Sequence, residues 1–316
     1  MIFLKKLTNS FSPELNGGLL IVLAMTIIGP NDTIIPFIAE ESGLWQFHFS
    51  RSLIAVLVLL FCLYIMGVKL KILSLSSILI RTLFFTLSMI IYFGSLGFIP
   101  IAITGAGMFT APIFVLIFSS ILYKESLDRN KIFAVLLGSI GVWIILDPSS
   151  NKFQILNLFP ILGGIFLAMG NIATRKICSN ENPFILLIFF FIFIGSIGVI
   201  AASALSILEY SGKQYFHETF IMIGWRNVSF YFWVLVFIQA IGAIVGVSLI
   251  TIAYQRADTG YLNIFEYSFF IFAGLSGWLI LNQVLNLKTM FGILLIILSG
   301  IVASIGSQRK YNLNNK

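Results

Sequence analysis

The feature that most constrains this chain is a series of long apolar runs almost free of charge. Ten can be marked, at 17–37, 44–66, 76–98, 100–122, 130–147, 155–174, 183–208, 229–254, 258–281 and 287–306. Each is close to the roughly 20 residues that a helix needs to cross about 30 Å of hydrocarbon. Apolar residues within them are continuous rather than alternating, which selects helices over the strands of a membrane barrel. Most connections are short, such as 98–100 and 255–260, so one compact bundle with no soluble domain is expected. Charged residues make up only 10% of the 316, too few to cover a soluble surface. The expected fold class is all-α and integral to the membrane, with ten transmembrane helices.

The formal charge of +7 reads as topology signalling, because the cations sit in short loops and form no basic stripe for nucleic acid. With the N-terminus inside, thirteen Lys and Arg fall on inner segments. Only Lys152, Lys213, Arg226 and Lys288 fall on outer ones, and Arg51 and Arg81 lie within helices. Both termini are therefore expected in the cytoplasm. Cys62 and Cys178 give no disulfide framework, and His48 and His217 are too far apart for a zinc site, so neither metal nor cofactor is expected. The apolar run at the N-terminus is too short for a signal peptide.

The two halves are similar. VLAMTIIGPNDTIIP (22–36) can be laid on IFLAMGNIATRK (165–176) with Asn31 over Asn171, and VLIFSSILYKE (115–125) on AGLSGWLILNQ (273–283). The offsets are 140 and 158, and the extra 18 residues fit the connection at 210–227. Five helices per repeat is an odd number, so the second repeat is inverted in the membrane. Inverted repeats are a transporter architecture, with the site near the midplane between halves.

These features resemble the EamA-type ten-helix members of the drug/metabolite transporter superfamily. The resemblance spans roughly 17–306. It rests on Asn31-Asp32, FSRSL (49–53), the stretch from Tyr92 to Leu146 with its Glu125 helix end, and AYQRADTGYLNIFEYSFFIFAGLSGWLILNQ (253–283). One departure is Asn282-Gln283, where the pattern has Gly-Glu. The resemblance implies a first EamA repeat at 17–147, a second at 155–306, and movement of small metabolites.

Ionisable groups inside spans are costly and so are functional candidates. Asp32 lies between Pro30 and Pro36, which free backbone carbonyls that must face protein, water or a ligand. It is a ligand or cation contact, or else it pairs with an arginine to fix packing. Arg51 suits a carboxylate or phosphate, and equally a structural pair with Asp32 or a snorkelling position. For Arg81, near the inner end of its helix, snorkelling is the simpler account. Glu266 has Met108 as its repeat partner, so the fold does not require the acid; binding or proton coupling is expected. Asn31 and Asn263 are candidate partners of solute or acid. Tyr92 is a candidate lining aromatic, with Tyr254, Tyr267 and Trp278 as further possibilities.

The expected function is secondary transport of a small polar or amphipathic metabolite, such as an amino acid or a nucleoside-like solute, by alternating access. Protons are the candidate coupling ion, and a bacterial inner membrane the expected location. No Walker motif suggests an ATP-driven pump. The alternatives are a polytopic membrane enzyme, for which no catalytic set is visible, and a non-transporting subunit.

Overall fold

The computed structural model describes residues 12–68, 70–96, 101–124, 129–146, 158–210, 220–281 and 287–314. Glu125, Asn282, Gln283 and His217 lie outside them. The described residues form thirteen helices in ten spans, with no strand. Span 1 is α1 (Pro13–Thr33) and α2 (Ile35–Ala39), span 2 is α3 (Leu44–Ile65), and span 3 is α4 (Leu75–Ser95). Span 4 is α5 (Ile101–Met108) and α6 (Ala111–Tyr123), and span 5 is α7 (Arg129–Leu146). Span 6 is α8 (Phe159–Lys176), span 7 is α9 (Pro183–Tyr210), and span 8 is α10 (Phe230–Arg256). Span 9 is α11 (Thr259–Glu266) and α12 (Phe269–Leu281), and span 10 is α13 (Leu287–Asn314). Spans 1, 2, 3, 7, 8 and 9 are each long and apolar enough to cross a bilayer on their own account.

Three spans are broken, and two of the breaks follow from proline. In span 1, Pro30 stays within α1 and the break falls later, at Ile34. Pro36 has no N–H to give the Asp32 carbonyl four residues back, and the Ile34 N–H turns to that carbonyl instead. In span 4, Pro112 denies Met108 its partner in the same way, and the helix stops at Met108. Span 9 breaks without proline. There the Ser268 hydroxyl donates to the Phe265 carbonyl at 2.7 Å, a local bond that competes with helix continuation. Met108 and Glu266 both end a half-helix, and they are equivalent under the 158-residue offset.

Spans 1, 2, 8 and 9 pack into one group, and spans 3, 4, 6 and 7 into another. Each group draws two spans from each half of the chain, and exchanging the halves exchanges the groups. The groups meet along α3 and α9, while α7 lies against α13. Close approach at the broken spans needs glycine. A Cβ on Gly164 in α8 would sit 2.8 Å from the Gly107 and Met108 carbonyls at the break of span 4. On the other group, a Cβ on Gly29 would sit 2.7 Å from the backbone nitrogen of Ala273 in α12.

Each group is also tied at one end by a glutamate. Glu181, in the connection after α8, accepts from the backbone N–H of Leu73 at 3.2 Å and of Ser74 at 2.6 Å, where α4 begins. Glu41, after α2, accepts from the Ser229 N–H at 2.8 Å and its hydroxyl at 2.9 Å, where α10 begins. Ser74 and Ser229 are the N-caps of those helices. Glu41 and Glu181 are 140 positions apart, as are Asn31 and Asn171. The repeat is thus visible in polar contacts as well as in helix packing.

Candidate functional site

The two groups enclose a cavity of about 130 Å³. Its wall is mostly apolar, with Phe85, Phe93, Phe109, Phe269, Met25 and Met89 among its residues. Into this wall are set four ionisable side chains, Asp32, Arg51, Arg81 and Glu266, together with Asn31, Tyr92 and Gln239. An apolar chamber with a few placed polar groups is the usual form of a small-molecule site.

The break in span 1 places Asp32 at the cavity. The Tyr92 hydroxyl, from α4, donates to Asp32 Oδ2 at 2.9 Å. This bond crosses from one group to the other. Beside it, Asn31 and Gln239 address each other's backbone: Asn31 Nδ2 donates to the Gln239 carbonyl at 3.2 Å, and Gln239 Nε2 donates to the Asn31 carbonyl at 2.7 Å. These bonds satisfy backbone beside the loosened helix, as a membrane interior requires.

Arg51 is buried and does not close onto Asp32, since no N–O distance between them falls within 4.0 Å. Its Nη2 donates to His48 Nδ1 at 3.2 Å, and its guanidinium lies 4.9 Å from the Phe47 ring and 4.8 Å from the Phe93 ring. Its Nε has no acceptor. Of the alternatives open for Arg51, direct contact with Asp32 is not formed, and the buried side chain does not snorkel.

Glu266 occupies the last residue of α11. Its Oε1 accepts from the Tyr254 hydroxyl at 2.7 Å and from Asn171 Nδ2 at 3.4 Å. Asn171 Nδ2 also donates to Asn263 Oδ1 at 3.3 Å, and Asn263 Nδ2 donates to the Thr259 carbonyl at 2.9 Å. Asn263 thus holds Asn171, and Asn171 reaches the acid. Glu266 Oε2 and Asn171 Oδ1 have no donor.

Arg81 corrects an expectation. It is 1% exposed and does not snorkel. Its Nε donates to Thr174 Oγ1 at 2.9 Å, Nη1 to the Leu186 carbonyl at 3.2 Å, and Nη2 to Thr251 Oγ1 at 3.0 Å. The Phe85 ring lies 4.3 Å from its guanidinium. Packing of α8, α9 and α10 around the end of α4 supplies these acceptors, so the charge stays at the cavity wall.

Two aromatics also fall elsewhere. Tyr267 is buried at the break of span 9, with its hydroxyl 3.1 Å from Ser139 Oγ in α7, so it faces away from the cavity. Trp278 is 52% exposed on the outer side of α12 and lines nothing. Tyr254 is not among the cavity-lining residues and bonds to Glu266, which is. Gln239, Asn171 and His48 were not singled out as site residues; Asn171 had a signal in its match to Asn31. Among the described residues no group of three His, Cys, Asp or Glu stands ready to hold a metal.

Residues 15–147 match the EamA-like transporter family. The chain is 21% identical over 290 residues to the pseudopaline exporter CntI of Pseudomonas aeruginosa, covering 92% of this chain and 96% of that one. It is 25% identical over 220 residues to an uncharacterized transporter of Helicobacter pylori, covering 69% and 70%. It is 23% identical over 192 residues to a riboflavin transporter of Vibrio cholerae, covering 61% and 58%. A solved crystal structure shares the fold, with a TM-score of 0.70 at 15% identity over 91% of this chain and 98% of that one.

Proposed function

We propose that this multi-pass, EamA-type membrane transporter of the drug/metabolite transporter superfamily moves a small organic solute through its central cavity by secondary, alternating access. The observation that carries the reading is the placement of Asp32, Arg51, Arg81 and Glu266 around one cavity between the two groups of spans. Ionisable groups at membrane depth mark a solute or ion path. The broken spans lend further support, because discontinuous helices are where transporters build midplane sites.

The repeats are read as 17–147 and 155–306, and the moving bodies as the two interlaced groups. Rocking one group against the other would open the cavity to one side and then the other, and the Tyr92–Asp32 bond would loosen as they part. The loop cations support both termini in the cytoplasm, and the bacterial relatives support a bacterial inner membrane. The names of those relatives, one a pseudopaline exporter and one a riboflavin transporter, support a small organic solute. Asp32 and Glu266 are the candidate proton-coupling groups.

The test is uptake and counterflow of a labelled metabolite panel in vesicles holding the purified protein. Flux of at least one solute is expected, with Glu266→Gln and Asp32→Asn each altering its rate or pH profile. Chemical conversion of the solute without flux would point to an enzyme. Unchanged flux and pH profile in both variants would remove these acids from the mechanism.

A further inference from the structure

Unmet hydrogen-bonding capacity of opposite sign lies at the cavity on α3 and α11, and beside it on α8. Glu266 Oε2 and Asn171 Oδ1 are buried acceptors with no donor. Their orientation is fixed, because Asn171 Nδ2 is committed to Glu266 Oε1 and Asn263 Oδ1. Turning the amide over would set its one oxygen against two others, Glu266 Oε1 and Asn263 Oδ1. Acceptors left open on two hydrogen-bonded residues call for a cationic donor with several hydrogens, which an ammonium supplies. Arg51 presents the reverse, a buried guanidinium with no carboxylate within 4.0 Å and an Nε–H with no acceptor. The Phe47 and Phe93 rings flank it. A guanidinium so placed suits a carboxylate or another anionic oxygen group. Arg81 is different, since each of its donor nitrogens already has a protein acceptor.

Formal charge adds a second constraint. Two carboxylates and two guanidiniums line the cavity, so their formal charges cancel, and a solute with net charge would leave the chamber unbalanced. The two seats also lie apart. Arg51 is the eighth residue of α3 and Glu266 the eighth of α11, so each is about 10 Å along its helix from the start. With those starts at opposite faces of about 30 Å of hydrocarbon, the two positions are separated by on the order of 10 Å.

We propose that the solute is a zwitterion with its charges well separated along an apolar body, its ammonium between Glu266 and Asn171 and its anionic group on Arg51. An α-amino acid, with both charged groups on one carbon, reaches one seat only. The inference rests on the transporter reading and narrows it to a solute class.

The probes are straight-chain ω-amino acids from glycine to 8-aminooctanoate, with hexylamine and hexanoate as single-charge controls. Thermal stabilisation of the purified protein is read for each. The longer zwitterions are expected to stabilise it, and glycine, hexylamine and hexanoate are not. Glu266→Gln and Arg51→Gln should each raise the concentration needed at least about tenfold, the loss expected for one charge-assisted hydrogen bond. Unliganded melting curves report whether each variant folds, and Asn171→Ala replaces Glu266→Gln if that variant does not. Equal stabilisation by hexylamine or hexanoate, no stabilisation by any zwitterion, or undiminished potency in the folded variants overturns the proposal. The transporter reading falls separately, if vesicles with wild-type protein move no member of the metabolite panel.

Discussion

Replacing Gln239 by leucine removes a buried donor beside the break in span 1. Gln239 is 1% exposed, and its Nε2 donates to the Asn31 carbonyl at 2.7 Å. Leucine keeps most of the volume and removes the donor. Interhelical hydrogen bonds within membranes average about 0.6 kcal/mol and reach about 1.7 kcal/mol. A buried acceptor left unpaired adds a penalty in the range of about 1–3 kcal/mol. Since water from the cavity can recover part of that penalty, a net loss of about 1–2 kcal/mol is expected. The reciprocal bond, from Asn31 Nδ2 at 3.2 Å, ends on the Gln239 backbone and survives the substitution. Asn31→Leu removes that second bond alone. Each side chain addresses the other's backbone, so the two losses should add, with a coupling below about 0.5 kcal/mol despite the contact. Reversible unfolding in mixed micelles titrated with dodecyl sulfate reads all three variants. A coupling above about 1 kcal/mol would show that the two side chains bond each other, and a Gln239→Leu midpoint equal to wild type would refute the assigned bond.

The two glutamate ties should differ in strength. Glu181→Ala removes a buried acceptor from two part-buried backbone donors and should lower stability by about 1–2 kcal/mol, whereas Glu41→Ala frees exposed donors that water can take and should stay below about 1 kcal/mol; melting in detergent compares them. Burial pushes the Cys178 thiol from 9.0 up to about 11, against the opposing pull of Arg81 and with a push from Glu181. In a Cys62→Ser background, maleimide should therefore react slowly at pH 7–9 until the protein is denatured, and rapid native labelling at pH 8 would contradict this. Gly164→Ala forces a methyl against two carbonyls at 2.8 Å and should cost about 1–3 kcal/mol by the same melting assay. Trp278→Ala should leave flux unchanged in vesicles, since the ring faces outward.

The ten spans were legible because each is a continuous apolar run, and the acids at 32 and 266 were legible because charge in such a run has few structural excuses. The breaks were less so. Pro36 and Pro112 carry a signal for spans 1 and 4, but in span 9 the competing group is a serine hydroxyl, which is ordinary in any helix. Arg81 was misjudged from its distance to the helix end. What decides its environment is the packing of Thr174, Leu186 and Thr251 across it, and these residues are 93, 105 and 170 positions away in the chain. Gln239 carries no formal charge, so nothing in its apolar run marks it as costly to bury. Trp278 shows that position along a helix says nothing of direction around it.

The interlacing of the two groups sets an order in time. Asn31 in span 1 meets Gln239 in span 8, 208 residues later. At about 5–20 residues per second, the ribosome needs about 10–40 s to supply that partner. Over that interval Asn31 is in the membrane without its partner, whereas Asp32 and Arg51 already have Tyr92 and Phe93 of span 3. Half a chain, stopped after span 5, would leave Asn31 with no partner to come. Assembly of this protein is therefore a late event, completed only as the second half of the chain threads between the spans of the first.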